Sequence, residues 1–115
     1  IILHRPKRKM LTIEYEDTIF KVGKNSKENW ELLEESQEYM WFHLDSFPSC
    51  YVICCDENPS NECLIYGAQL CKLNTKYRNL KNLKVNYTKL SNLIKGKEEG
   101  SVFIKSKRKV QNMII

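Results

Sequence analysis

The sequence predicts an α+β fold: a single domain with a mostly antiparallel or mixed β-sheet, a short N-terminal helix and one long central helix packed on it. Several segments alternate apolar and polar residues, as half-buried strands do. One long segment carries apolar and small residues at helical spacing. The 115 residues, 42% apolar and 29% charged, are enough for one hydrophobic core and too few for two domains.

The first two strands are predicted to form a hairpin. Leu11–Tyr15 and Thr18–Val22 both alternate, and Glu16-Asp17 between them suits a tight turn. Gly23 then ends the second strand.

A short helix should follow over Ser26–Glu35. Asn25 or Ser26 can cap its start, and Glu28 lies in the first turn, where the helix dipole favours a carboxylate.

Two apolar strands and the long helix come next. Tyr39–His43 and Tyr51–Cys55 are predicted strands, the second of them central in the sheet. Asn58 suits an N-cap for a helix over Pro59–Tyr77. We expect Gly67 to mark a close approach to a strand, on a buried helix face made of Cys63, Gly67, Leu70, Cys71 and Asn74.

The last third of the chain predicts more strands. Leu83–Tyr87 alternates, and Leu90–Lys97 is a short segment that ends near Gly96. Gly100–Ile104 and Val110–Ile115 are either two final strands or a strand and a frayed tail. Together the elements predict an antiparallel or mixed sheet with the helices on one face.

Residues 1–9 are predicted to be a basic lead-in to a domain over residues 10–115. No apolar run approaches the ~20 residues that a membrane-spanning helix needs. The start places its charges after the apolar residues, unlike a signal peptide. These features predict a cytoplasmic location, with the nucleus as the alternative.

The five cysteines predict reduced thiols in the core rather than a metal site. Their number is odd and none forms a C-x-x-C pair. The two histidines, His4 and His43, lie near no cysteine pair, so we expect neither a metal nor a cofactor.

The charge is strongly asymmetric along the chain. Residues 1–70 contain 7 Lys or Arg and 12 Asp or Glu, whereas residues 71–115 contain 12 Lys or Arg and 2 Glu. A concentrated cationic segment suits a polyanion such as nucleic acid; the alternative is a solvated lysine-rich surface. The basic set is Lys72, Lys76, Arg78, Lys81, Lys84, Lys89, Lys95, Lys97, Lys105, Lys107, Arg108 and Lys109.

Aromatic residues interleave with these cations, as in surfaces that bind single-stranded RNA. Tyr77 and Tyr87 lie within the basic segment. A strand over residues 104–109 would place Lys105, Lys107 and Lys109 on one face with Arg108 opposite. We expect that face and the end of the long helix to form one phosphate track.

Three further positions are candidate nucleic-acid contacts. The Gly23-Lys24-Asn25 turn precedes a helix whose free N–H groups could bind an anion, although a simple turn is the alternative. Trp41 could stack on a base if it is exposed, and Trp41 and Phe42 could instead both be packing residues. His43 could contact phosphate or a base edge, or lie half-buried in its strand.

The order of the motifs resembles the NFACT-R domain family. The resemblance covers about residues 8–110 and is closest to the short members of the coiled-coil domain-containing protein 25 type. The family-motif residues are Gly23, Asn29, Trp41, Phe42, His43, Pro48 and Ser49. The matching segments are 22–25, 28–29, 41–43, 48–49, 51–53, 67–70, 85–88, 91–95 and 100–102.

The resemblance implies a nucleic-acid-binding module linked to ribosome- and tRNA-associated quality control. Two positions depart from the family: Tyr39 replaces an acidic residue and Tyr51 replaces a second histidine. A catalytic or metal role built on those side chains is therefore weakened. We expect a non-catalytic domain that binds RNA, tRNA or ribosomal.

Two alternatives remain open. The first is a protein–protein adaptor for ribosome-associated proteins, with the acidic residues Glu31, Glu34, Glu35 and Glu38 facing a basic partner. The second is a DNA-binding module, as the short family members imply.

Overall fold

Six strands form one antiparallel sheet in the computed structural model, which describes residues 10–115. The predicted lead-in, residues 1–9, lies outside the described part. The sheet order is β1-β2-β4-β3-β5-β8. The strands are β1 (Leu11–Tyr15), β2 (Thr18–Gly23), β3 (Met40–Leu44), β4 (Tyr51–Cys54), β5 (Lys84–Lys89), β6 (Leu93–Lys95), β7 (Val102–Ile104) and β8 (Gln111–Ile114). The helices are α1 (Ser26–Leu32) and α2 (Asn61–Leu73). The predicted α+β class is confirmed, and β4 is an interior strand as expected.

The β1–β2 hairpin has the predicted two-residue turn. Glu16 and Asp17 have φ angles of 51° and 61°. Positive φ at both central positions is the geometry whose twist matches that of paired strands. The hairpin therefore keeps a fixed register, with Tyr15 opposite Thr18.

The two helices cover opposite faces of the sheet, so the expectation that both lie on one face is wrong. Trp41 and Phe42 are neighbours on β3 and point to opposite sides. Phe42 joins the core beneath α2, whereas Trp41 joins a second core with Leu32 of α1. All four residues of β4 are buried because both of its faces are covered.

α1 is shorter than predicted, but one of its two expected caps is present. The Asn25 side chain accepts a hydrogen bond from Glu28 N at 2.8 Å. Residues 33–35 continue as a turn in which Glu34 N donates to Glu31 O. The i−3 bonds of this turn differ from α-helical ones, so the regular helix ends at Leu32.

α2 starts later and ends earlier than its predicted range. Ser60, not Asn58, is the N-cap, and its Oγ accepts from Cys63 N at 3.2 Å. The Asn58 N–H instead donates to Asp56 in a preceding turn. At the other end, the Asn74 side chain donates to Leu70 O at 2.8 Å and ends the helix before residue 77.

Gly67 makes the close approach that its position in the helix predicted. A Cβ at Gly67 would lie 2.5 Å from Cζ of Phe42, which is fully buried. α2 can therefore pack directly on the aromatic ring of β3.

A second, two-stranded sheet is formed by β6 and β7. Two bonds attach the turn between them to the main body. Trp30 Nε1 donates to Ser101 O at 2.9 Å, and the Tyr51 hydroxyl donates to Gly100 O. The sequence left open whether the chain ends in two strands or in a strand and a frayed tail. Two strands are found, β7 and β8, and β8 pairs with β5 at one edge of the main sheet.

Candidate nucleic-acid interface

A cleft of about 460 Å³ opens where β5, β8 and residues 105–109 meet; we call it the Tyr87 cleft. Its walls contain three lysines and no acidic residue. The lining residues are Met40, Tyr87, Thr88, Lys89, Ser91, Asn92, Lys105, Ser106, Lys109 and Gln111. Four residues of the predicted nucleic-acid surface are thus brought together: Tyr87, Lys89, Lys105 and Lys109.

Asn92 holds one end of the basic segment in place. This side chain is only 5% exposed. Its Oδ1 accepts from Ser106 N and its Nδ2 donates to Ser106 O, both at 2.9 Å. The Asn92 backbone carbonyl also accepts from Lys105 N. Residues 105 and 106 are therefore docked on a buried amide.

Thr88 holds the other end. Its Oγ1 donates to Lys109 O at 3.0 Å and accepts from Asn92 Nδ2 at 3.1 Å. These side-chain hydrogen bonds hold residues 105–109 in place of the backbone hydrogen bonds that a paired strand would have made. Residues 107–109 form a single 3₁₀ turn, so the predicted strand over 104–109 with lysines on one face is wrong.

The turn distributes its basic side chains differently from a strand. Lys105 and Lys109 line the cleft, whereas Lys107 and Arg108 are exposed outside it. Among residues 10–115 the carboxylate ion pairs are Lys21–Glu35 and Lys95–Glu34. Lys105 and Lys109 therefore keep their charge uncompensated by a described acidic partner.

Tyr87 provides the aromatic wall of the cleft. Its ring stacks against Phe42 with centroids 5.7 Å apart and planes at 27°. Phe42 is fully buried, whereas Tyr87 is half-buried. The accessible part of Tyr87 consequently lies on the side away from Phe42, where Gln111 is its cross-strand neighbour.

Lys89 adds charge to the cleft but is fixed in position. Its Nζ donates to the backbone carbonyls of Glu38, at 2.6 Å, and Glu57. Two of its three N–H donors are already used, so Lys89 contributes mainly positive potential and has one donor left for a ligand.

The remaining predicted basic contacts lie elsewhere. Lys72 reaches Ile115 O at 3.3 Å, at the end of β8 opposite to the cleft. Lys76, Arg78 and Lys81 follow in the exposed connection to β5. A four-residue strand separates the two groups by roughly 13 Å. The single phosphate track is thus replaced by two basic groups, one at each end of β8.

Trp41 and His43 do not line the cleft. Trp41 is 2% exposed, so the exposure that base stacking requires is absent. His43 stacks on Trp41 at 5.6 Å, and burial lowers the pKa of His43 to about 4. His43 is therefore neutral near pH 7 and lacks the charge for a phosphate contact.

Two backbone donors at the turn before α1 are already used within the protein. Lys24 N donates to Glu28 Oε1 at 3.0 Å, while Asn25 accepts from Glu28 N. Asn25 thus caps the helix, while Glu28 bonds the residue before the cap and places its carboxylate where the phosphate was expected.

The other family-motif residues support the backbone. Asn29 is buried and its Oδ1 accepts from Tyr51 N at 3.1 Å. A Cβ at Gly23 would lie 2.6 Å from that same oxygen, which explains the glycine. Ser49 Oγ, next to Pro48, accepts from Leu44 N at 3.0 Å.

The thiols lie mainly in the core, with Cys50, Cys54, Cys63 and Cys71 buried. Burial raises the pKa of Cys54 to about 12 and that of Cys55 to about 11. These two thiols stay protonated near pH 7 and are poor nucleophiles. No cluster suited to a metal ion occurs within residues 10–115.

Thr88, Asn92 and Gln111 are among the cleft residues to which the sequence assigned no role. Asn92 carried a signal, because it lies between Leu90 and Leu93 in an apolar context. A polar side chain flanked by buried apolar residues must find partners inside the fold. Gln111 carried no such signal.

A solved structure has the same fold. The C-terminal part of the fibronectin/fibrinogen-binding protein from Streptococcus suis superposes with a TM-score of 0.85 at 24% sequence identity. The likeness establishes the fold alone. It covers 100% of this chain and 48% of that one, so the present chain spans about half of its length.

No protein-family model matches the chain, and no curated protein matches it. Neither helix of the described residues is long and apolar enough to cross a membrane.

Proposed function

We propose that this chain is an NFACT-R-type module that binds RNA through the phosphate backbone, as part of ribosome- or tRNA-associated quality control. The observation that carries the proposal is the Tyr87 cleft, whose lining contains three lysines and a tyrosine but no acidic residue. Phosphate contacts supply most of the affinity of such surfaces, and they carry little sequence information.

The charge distribution supports this proposal. Residues 10–70 contain 3 lysines and 12 acidic residues, and residues 71–115 contain 12 basic residues against 2 acidic ones. A polyanion would be attracted to the side of β5, β8 and residues 105–109, and repelled from α1 and the β1–β2 hairpin.

The fixed backbone of the basic segment also supports it. Asn92 and Thr88 bond residues 105, 106 and 109 through four hydrogen bonds of 2.9–3.0 Å, counting the carbonyl of Asn92. A segment that is already ordered loses less conformational entropy on binding. Two cations held in this way suit a phosphodiester better than the same lysines on a mobile loop.

Charge reversal tests the proposal. The double variant Lys105→Glu and Lys109→Glu should bind single-stranded RNA more weakly, with fluorescence anisotropy measured across a salt series. Each phosphate contact contributes about 0.7 to the slope of log affinity against log salt, so losing two contacts lowers the slope by about 1.4.

The matched control is Lys27→Glu with Lys97→Glu. Both lysines are exposed and lie outside the cleft, and the double variant changes the net charge by the same amount. If both double variants weaken binding equally, the effect is one of net charge and the cleft is not the site. If the wild-type chain binds no RNA at low salt, the proposed function is wrong.

The second candidate function is protein binding. It is favoured by the name of the protein of like fold, which binds fibronectin and fibrinogen. On this chain the acidic residues of α1 and of the turn after it would be the contact, although Glu34 and Glu35 are already paired with Lys95 and Lys21. Titration with fibronectin, fibrinogen and ribosomal particles, beside matched RNA and DNA, separates this function from RNA and DNA binding.

A further inference from the structure

The Tyr87 cleft has the size of a pocket rather than of a groove. Its volume of about 460 Å³ is at the small end of the range for pockets that hold small molecules. A duplex keeps its bases paired inside the helix, so it could touch only the rim. An unpaired nucleotide could enter.

The aromatic wall is positioned for a base. Phe42 supports one side of the Tyr87 ring, and this support fixes the orientation of the accessible side. A base stacked on such a ring gains about the same free energy whatever its identity, because every base has a π-face.

The rim and the opposite wall supply polar groups. Lys105 and Lys109 can take a phosphate on the rim. Gln111 is exposed, faces Tyr87 across the strand pair, and its side chain has no hydrogen-bond partner among the described residues. Its amide has both donors and an acceptor free for a base edge.

We propose that the Tyr87 cleft takes one unpaired nucleotide of an RNA strand. The base stacks on Tyr87, the Gln111 amide bonds its edge, and Lys105 and Lys109 bind the adjacent phosphate. This inference rests on the proposed function and narrows it, since a phosphate surface alone would not distinguish unpaired from paired RNA.

The inference is tested by removing the Tyr87 ring and the RNA base separately and together, in the manner of a double-mutant cycle. The variants are Tyr87→Leu, which removes the ring, and Tyr87→Phe, which keeps it. The probes are a single-stranded RNA of about ten nucleotides, an abasic strand with the same length and phosphates, and a blunt duplex. Thermal unfolding of each variant verifies that it is folded.

The matched control is Tyr15→Leu. Tyr15 is also a half-buried strand tyrosine stacked on an aromatic ring, Tyr66 at 4.0 Å, but it lies on β1, at the edge of the sheet far from β5 and β8. Its replacement should leave every affinity unchanged.

The expected result is specific to the base. Tyr87→Leu should weaken binding of the base-bearing strand roughly 5- to 150-fold, the equivalent of one lost stacking contact. Affinity for the abasic strand and the duplex should not change. Tyr87→Phe should restore most of the preference for bases. DNA of the same sequence reports whether the ribose contributes.

Two results would overturn the inference and leave the proposed function standing. One is salt-dependent RNA binding that Tyr87→Leu does not alter. The other is an equal loss on base-bearing and abasic strands, which would make Tyr87 a structural residue. Absence of salt-dependent binding to every probe would overturn both proposals.

Discussion

Replacing Asn92 by alanine should loosen the basic segment while leaving the sheet intact. The substitution removes three side-chain hydrogen bonds, two to the backbone of Ser106 and one to Thr88 Oγ1. Each such bond contributes about 1 kcal/mol net, and a partner left buried and unpaired costs more. The free energy of unfolding should therefore fall by about 2–4 kcal/mol.

Two measurements check this expectation. Urea denaturation gives the loss of stability, with an unchanged m value because the unfolding surface is the same. Hydrogen exchange gives the local effect: the Ser106 amide loses its acceptor and should exchange faster. RNA affinity should fall in parallel because Lys105 and Lys109 are no longer held beside Tyr87.

Asn86→Ala is the matched control. Asn86 lies on β5 and its side chain bonds Asp45 at 2.8 Å, but at the surface. An exposed bond is easily replaced by water, so the loss should stay below about 1 kcal/mol. If Asn92→Ala lowers the free energy of unfolding by as little as this, and the exchange of the Ser106 amide is unchanged, then Asn92 does not hold the basic segment in place.

Two further predictions concern the cores. Gly67→Ala should destabilise the fold by up to about 2 kcal/mol, because overpacking against Phe42 costs roughly 1–3 kcal/mol and helix propensity returns only about 1 kcal/mol. Unfolding by urea measures this, and a stabilised variant would contradict the contact. For His43, burial lowers the folded pKa from 6.5 to about 4, so the unfolded chain binds a proton in that window that the folded chain does not. The contribution of neutral His43 to the free energy of unfolding should be fully present above about pH 6.5. It should fall by about 3 kcal/mol as the pH is lowered towards 4. The same titration of His43→Gln should lack this component, and equal pH profiles would refute it.

Local pattern determined most of the secondary structure. Alternation identified β1, β2 and β5, and the Glu16-Asp17 turn followed from its position between two alternating segments. The side-chain period of a strand and the capping chemistry of Asn25 act within a few residues, so they can be read from the chain alone.

Helix ends were less well determined because several caps competed. The side chains of Ser60 and Asn74 bond nearby backbone groups, whereas the backbone N–H of Asn58 donates to the Asp56 side chain. Asn58 joined a turn with Asp56, which left Ser60 to start α2. The choice depends on where the preceding strand delivers the chain.

The site shows the same division between sequence and tertiary structure. The sequence alone determined that 12 of the 19 Lys and Arg residues lie in residues 71–115, that Tyr87 lies among them, and that the fold is α+β. Only the tertiary structure decided that β8 pairs with β5, that Asn92 and Thr88 shape residues 105–109 as a turn, and that Trp41 is buried. The physical reason is that composition and periodicity are local, whereas burial and long-range hydrogen bonds depend on which distant segments meet.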